Sequence, residues 1–229
     1  MDALAIVEEA ANPAFQQHKV TLMNASSFSL RTLSAAMLLA VGSVSVMAQT
    51  APANNPVAST VQRDVNQQTR IEAGLKDGSL TTREAGRLEK QESRIDRQQA
   101  ADLKDGKLSP REQAQLRREQ NRASRDIAAD RANDLKGNPR SASSQRLQAD
   151  VQRNVNQQTR IEQGLKSGAL TGQEAAKLER GQAHVDRKEA IAAHDGHVGA
   201  AEQARIQHSE NHQSGKIFNK KHNVQNAKG

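Results

Sequence analysis

Apolar residues recur along the chain at helical spacing in three successive stretches, and the same arrangement returns further on. The residues of each stripe fall on one side of a helix at ~100° per residue, and the opposite side is rich in Arg, Gln, Glu and Asp. In order, the three stripes are Val61, Val65, Ile71 and Leu75; Ala85, Leu88, Ile95 and Leu103; and Leu116, Ala123 and Ile127. The pattern predicts three amphipathic helices.

A long internal repeat organises the chain. Segments 61–80 and 151–170 are identical at sixteen of twenty positions, and the correspondence continues at an offset of 90 residues as far as Ile127 and Ile217. Such a repeat indicates duplicated structural units. The predicted division is residues 59–137 for module 1, residues 138–148 for a flexible Pro- and Ser-rich linker, and residues 149–229 for module 2.

A shorter motif, D-G-x-L-[S/T]-x-x-E, separates the helices within a module. In its first copy, Gly78 can take the left-handed backbone that ends a helix, Thr81 caps the next helix, and Glu84 closes a capping box. The second copy has Gly106, Ser109 and Glu112 in the same roles. We therefore predict an all-α fold of two tandem three-helix modules. The alternative is an extended helical arrangement that folds fully only on a partner.

The amino-terminal segment predicts export. Residues 33–47 form an apolar run that follows Arg31 and ends in small residues before an expected cleavage after Ala48. The run falls short of the ~20 residues that span a bilayer, so we expect no integral membrane span after cleavage. We assign residues 1–22 to a mis-assigned upstream start, residues 23–48 to a signal peptide and residues 49–58 to a disordered lead-in. The expected location is periplasmic or secreted.

Composition limits the interior that the exported part can build. From residue 49 onward, Ile, Leu, Val and Phe account for 27 of 181 residues, below the ~20% at which disorder becomes a serious alternative. Helix formers are abundant, so we expect marginally stable helices with thin aliphatic seams. The chain contains no Cys, which excludes disulfides and thiolate metal sites.

The charge predicts anionic partners. Without residues 1–48, the chain has 31 Lys and Arg against 23 Asp and Glu, a net charge of +8. Such a protein is drawn to anionic envelope components, such as lipid head groups, lipopolysaccharide or acidic polymers, and to acidic proteins. The candidate surface is Arg117, Arg118, Arg122 and Arg125. An ordinary solvated helix face is the alternative. Aromatic residues do not alternate with these charges, so we expect no nucleic-acid partner.

The Gly turns also resemble the second half of an EF-hand loop. In the second turn, Asp105 and Glu112 stand at acidic loop positions, but Ala101 and Leu103 occupy positions that should supply oxygen ligands. The equivalent candidates in the first turn are Asp77 and Glu84. A Gly cap with a capping box explains the same residues without metal, and weak Ca²⁺ binding is the alternative.

The histidines of the second module offer a different metal site. His194 and His197 are three residues apart, and His208 and His212 are four apart, a spacing that can chelate Zn²⁺, Cu²⁺ or Ni²⁺. The aligned residues of the first module are Lys104, Lys107, Arg118 and Arg122. The competing interpretation is therefore a basic helix face on which His, whose charge changes near neutral pH, replaces some of the Lys and Arg residues.

Two resemblances accompany these patterns. With V-Q-R-N-V-N-Q-Q-T-R-I-E at 151–162, L-E-R-G-Q at 178–182 and E-N-H-Q-S at 210–214, the chain resembles uncharacterised exported helical repeat proteins of proteobacteria, which implies no activity. Leu80-Thr81-x-x-Glu84 is also similar to the L-T-x-x-Q motif of periplasmic stress chaperones, with Glu in place of Gln. That similarity implies a chaperone-like role.

No glycine-rich phosphate loop, nucleophile elbow or H-E-x-x-H motif is present, so we predict that the protein is not an enzyme. Our hypothesis is an exported basic helical interaction protein that binds anionic or partly unfolded envelope partners, without a cofactor. The alternative is weak divalent-cation binding, to Ca²⁺ at the Gly turns or to Zn²⁺ or Cu²⁺ at the histidines.

Overall fold

The computed structural model describes residues 55–223, which form helices and connecting turns without any strand. The helices are α1 (Pro56–Asp77), α2 (Thr82–Asp102), α3 (Pro110–Ala132), α4 (Ala142–Ser167), α5 (Gly172–Ala192) and α6 (Ala200–Lys221), with a 3₁₀ turn at Leu103–Asp105. The all-helical prediction is confirmed. The predicted upstream extension and signal peptide lie outside the described residues, as do residues 49–54 of the lead-in.

The helix ends follow the predicted local chemistry. Gly78 has a φ of 76° and ends α1 in the left-handed conformation that a side chain would disfavour. The backbone N–H of Thr81 donates to Glu84 Oε2 at 2.9 Å, and the Thr81 hydroxyl accepts from the Glu84 N–H at 3.2 Å. Left-handed glycines recur at Gly106, Gly168 and Gly196. The Gly turns and capping boxes are therefore confirmed.

Two helices of each module pack mainly against the other module, whereas α3 and α6 pack mainly on the helices of their own module. Helix α1 lies along α4, and α2 lies along α5. Asn55 Nδ2 at the start of α1 donates to the carbonyl oxygen of Leu165 near the end of α4, at 3.2 Å. Near the start of α2, Arg83 Nη2 donates to the Asp195 carbonyl oxygen just beyond the end of α5, at 2.9 Å. Both helix pairs run antiparallel.

Two apolar clusters form the core, and each draws on both modules. One joins Val61 and Leu116 of the first module to Ile161 and Leu178 of the second. The other contains Ile71, Leu88, Ile127, Val151 and Ile206. Residues 90 positions apart lie in opposite clusters, as Val61 and Val151 do, and likewise Ile71 and Ile161. The repeat therefore produces a bundle with pseudo-two-fold symmetry. Neither module covers its own apolar stripe, because the partner module supplies half of each cluster.

The predicted boundaries need two corrections. Helix α4 begins at Ala142, so residues 142–148 of the predicted linker are helical, and α1 begins at Pro56, inside the predicted lead-in. The connection that remains packs on the first Gly turn, where the Gly137 N–H donates to the Gly78 carbonyl oxygen at 2.9 Å. Because both apolar clusters contain residues of both modules, the modules pack together and are not joined only by a flexible linker. Within the described part of the chain, no helix is both long and apolar enough to cross a membrane.

Candidate functional site

A polar layer separates the two apolar clusters. Along α1, Val65 of the predicted stripe is only half-buried, and Asp64, Gln67 and Gln68 are buried between Val61 and Ile71 instead. Nine carboxyl side chains, each at most 1% exposed, are buried in this way: Asp64, Glu89, Glu92, Asp96, Asp150, Glu179, Asp186, Glu189 and Glu210. No Lys, Arg or His among residues 55–223 is buried with them. The interior is thus acidic although the chain is basic.

Side-chain amides from α1 and α4 hold several of these carboxyl groups. Gln68 Nε2 donates to Glu89 Oε2 at 2.9 Å. Asn154 Nδ2 donates both to Asp186 Oδ1, at 3.2 Å, and to Glu189 Oε2, at 2.8 Å. Amides donate without adding charge, so they orient the carboxylates but do not neutralise them.

Burial makes these groups reluctant to ionise. Removal from water raises the pKa of Asp64 and of Glu89 to about 7, although hydrogen bonds from neighbouring amides act in the opposite direction. Burial also raises the pKa of Glu179 to about 8. The pKa of Glu189 is raised by burial and by the nearby acidic groups Glu89 and Asp186. Near neutral pH the layer therefore holds protons that a solvent-exposed set of carboxylates would release.

Three of the carboxyl groups converge closely. One oxygen each from Glu89, Asp186 and Glu189 lie within 4.8 Å of one another, and all three residues are buried. Glu92 lies one turn along α2 from Glu89, and its two oxygens accept no hydrogen bond. We call Glu89, Asp186 and Glu189 the carboxylate triad. This triad is the one group with metal-ligand geometry that the described residues contain.

The outer surface above this layer has the opposite charge. Two adjoining grooves of about 540 and 560 Å³ run along α2, α5 and α6, and Arg97 and Arg187 line both. Together we call them the basic groove. Its basic residues are Lys90, Arg94, Arg97, Lys177, Arg180, Arg187, Lys188, Lys216, His184, His194, His208 and His212. No carboxylate lines either groove. None of its Lys and Arg residues forms an ion pair with a carboxylate of the described chain.

The crowding of positive charge is visible in one histidine. Partial burial, followed by the charges of Lys188, Lys216 and Arg187, lowers the pKa of His184. An anionic ligand would relieve this repulsion. The related groove of the first module differs, because Asp126 lies there at the position equivalent to Lys216. The uninterrupted basic lining thus belongs to the second module and the α2–α5 seam.

The acidic residues predicted as Ca²⁺ ligands serve the turns instead. Asp77 accepts from the Ser79 N–H at 2.8 Å and pairs with Arg131 at 2.7 Å. Asp105 accepts from the Lys107 N–H, and Glu112 accepts from the Ser109 N–H. Glu84 closes its capping box and also accepts from Asn133 Nδ2 at 2.7 Å. Loop positions that would complete an EF-hand are apolar, so these carboxylates are used for capping.

The predicted histidine site does not gather a third ligand. His194, His197, His208 and His212 are all exposed, and none belongs to a metal-ligand group within the described chain. His208 and His212 line the basic groove, where the neighbouring cations disfavour a further cation. The structure therefore favours the interpretation of these histidines as part of a basic surface.

The predicted arginine surface is exposed, but it is not the most basic region. Arg117, Arg118, Arg122 and Arg125 all lie on the solvent side of α3. Arg122 borders a smaller groove that it shares with Asp126. The basic groove, formed mostly by α2 and α5, was not predicted.

The sequence contained signals for both the buried acidic layer and the basic groove. Glu89 and Asp96 are repeated as Glu179 and Asp186 in the second module, at helix positions next to buried Leu88 and Ile95. Each buried Asp is followed directly by an outward Arg, at 96–97 and at 186–187. Adjacent helix positions point about 100° apart, so the repeated Asp-Arg pair places acid inside and base outside.

Comparisons with protein-family models, with curated proteins and with solved structures find no match for this chain.

Proposed function

We propose that this protein is an exported, non-enzymatic helical protein that binds an anionic partner in the basic groove. The observation that supports the proposal most is the lining of that groove by eight Lys and Arg side chains and four histidines, with no carboxylate among them. Clefts of one charge raise the local concentration of oppositely charged ligands and speed their association.

The shape of the groove favours an extended acidic chain as the partner. Two adjoining depressions that share Arg97 and Arg187 offer a continuous path along the α2–α5 seam. The apolar side chains along this path are small or isolated, namely Ala183, Val185, Ala190 and the exposed Ile191. Recognition would therefore depend on carboxylate or phosphate groups spaced along a polymer, with Arg providing bidentate hydrogen bonds.

A charge-reversal experiment tests the proposal. Binding of a short fluorescein-labelled poly-glutamate chain is measured by fluorescence anisotropy for the wild type and for the double variant Arg97→Glu/Arg187→Glu. We expect the double variant to bind at least ~10-fold more weakly, because two central cations are replaced by anions. Binding by the wild type should be lost in ~1 M NaCl, where exposed charges are screened.

The matched control is Arg117→Glu/Arg125→Glu, which changes the net charge equally on the exposed face of α3. This variant should lose less than about 3-fold in affinity. Equal losses in the two variants would show that net charge alone attracts the polymer, and wild-type affinity in the groove variant would refute the groove. Anionic lipid vesicles serve as a second probe. Preferential vesicle binding that survives the groove reversal would assign the interaction to another surface.

A further inference from the structure

We propose that the carboxylate triad of Glu89, Asp186 and Glu189 binds one hard divalent cation at the centre of the bundle. The ligands come from α2 and α5, the helices that pair most closely across the two modules. Their mutual distances of at most 4.8 Å suit this purpose, since ligand oxygens ~2.0–2.6 Å from one ion lie no more than ~5 Å apart. This inference is independent of the proposed anionic partner.

The second oxygen of each triad residue has no conventional donor, and the carboxyl groups of Glu89 and Glu189 pair with each other while that of Asp186 pairs with Asp96. In each ligand one oxygen accepts from an amide: Glu89 Oε2 from Gln68, and Asp186 Oδ1 and Glu189 Oε2 from Asn154. The other oxygens, Glu89 Oε1, Asp186 Oδ2 and Glu189 Oε1, accept from no amide, hydroxyl or backbone donor. Metal ligands are typically oriented by such outer hydrogen bonds, which leave the coordinating atom free.

Glu92 provides an independent indication that the layer accommodates a cation. Its side chain is 1% exposed, and neither of its oxygens accepts a hydrogen bond. Among charged groups, the acids Asp64, Glu89 and Asp186 raise its pKa, and Arg70 acts more weakly in the opposite direction. A buried carboxylate without any partner is costly, and a divalent cation among these groups would supply the missing positive charge.

The donor set selects the kind of ion. The triad and Glu92 present only carboxylate oxygens, and the described chain has no buried His beside them. Oxygen donors suit Ca²⁺, Mn²⁺ and Mg²⁺, whereas Zn²⁺ and Cu²⁺ sites usually include imidazole or thiolate. We therefore assign the site to a hard divalent cation.

A departure from the pseudo-two-fold symmetry limits the bundle to one such site. Under the 90-residue offset, the triad maps onto Glu179, Asp96 and Gln99. The sister set has an amide where the triad has Glu189, and so it has one carboxylate fewer. Gln99 is buried at 1% exposure, which shows that Gln fits this environment and makes Glu189→Gln a conservative probe.

Thermal unfolding of the purified protein, followed by circular dichroism, tests the site. Because the triad is enclosed, the protein is refolded in EDTA or in excess MnCl₂, CaCl₂ or MgCl₂ before each scan. An ion present at ~100 times its Kd should raise the Tm by about 5–10 °C. We expect this rise with Mn²⁺ or Ca²⁺ for the wild type, and no rise for Glu189→Gln relative to the same variant in EDTA.

The matched control is Glu210→Gln, since Glu210 is also buried, lies outside the triad and corresponds to Gln120 in the first module. This variant should keep the wild-type rise. The proposal is overturned if the wild type responds to none of the three ions, if Glu189→Gln responds as the wild type does, or if Glu210→Gln also loses the response. A parallel scan with ZnCl₂ covers the surface histidines: a response confined to Zn²⁺ that disappears in His208→Ala/His212→Ala would overturn the proposal equally.

Discussion

At the scale of single residues, acidic side chains have two opposite roles in this protein. Glu84 and Glu174 close capping boxes and have a lowered pKa, because hydrogen bonds from the capping Thr and from Asn133 or Asn223 outweigh the effect of burial. Glu92 is buried without a partner, and burial raises its pKa well above its ordinary value. The first role was predictable, since capping depends on residues three positions apart. The second depends on which helix faces which, and that is not a local property.

Replacing Glu92 tests the cost of its burial. The variant Glu92→Gln copies the buried Gln182 of the second module. We expect it to be more stable than the wild type by about 1–3 kcal/mol at pH 7.5 in EDTA, because an amide loses less on leaving water than a carboxylate does. Urea denaturation followed by circular dichroism gives the free energy of unfolding.

The matched substitution is Glu84→Gln at the capping box. Gln can still close the box but removes the negative charge at the helix N-terminus, so the variant should destabilise by about 0.3–1 kcal/mol under the same conditions. A loss of stability in both variants would show that Glu92 makes a favourable contact that the described geometry lacks.

At the scale of elements, the predicted helices and turns are correct because the sequence repeats their signals. The pairing of α1 with α4 and of α2 with α5 was not predicted. Each stripe shows that a helix has an apolar face, but not which helix covers it. In the pseudo-two-fold arrangement each module supplies about half of each apolar cluster, so the two modules cover their apolar stripes jointly.

The contact between Gly172 and Gly106 tests the packing of the two modules. A Cβ on Gly172 at the start of α5 would lie 1.9 Å from the carbonyl oxygen of Gly106 in the first module. Because a backbone atom must move, Gly172→Ala should destabilise by about 1–3 kcal/mol in urea denaturation. Gly215→Ala in α6 is the control, since a Cβ there meets nothing within 4 Å. It should stabilise by about 0.5–1 kcal/mol. Equal effects would contradict the close approach of the modules.

At the scale of the whole molecule, the chain separates its charges, with carboxyl groups in the interior and cations on the surface. The composition correctly predicted a small aliphatic core. The helical pattern, however, placed the acidic residues on the solvent-exposed faces, where isolated charges usually lie. In the bundle the polar layer instead lies between Val61 and Ile71 along α1. The cation proposed for the triad would offset part of the energetic cost of that layer.

The pH dependence of stability tests the acidic interior most directly. Burial raises the pKa of Asp64 to about 7 and that of Glu179 and of Glu210 to about 8, against ~4 in an unfolded chain. Between these limits the folded protein binds more protons than the unfolded chain, so the free energy of unfolding decreases as the pH rises. The lowered pKa values of Glu84 and Glu174 act in the other direction, but only below pH ~4.

The decisive measurement is therefore urea denaturation in EDTA at a series of pH values from 5 to 8. We predict a continuous loss of stability across this range, of at least about 2 kcal/mol. Stability that is constant or that rises toward pH 8 would contradict the account, because it would mean that these carboxyl groups are ionised in the folded protein at no cost.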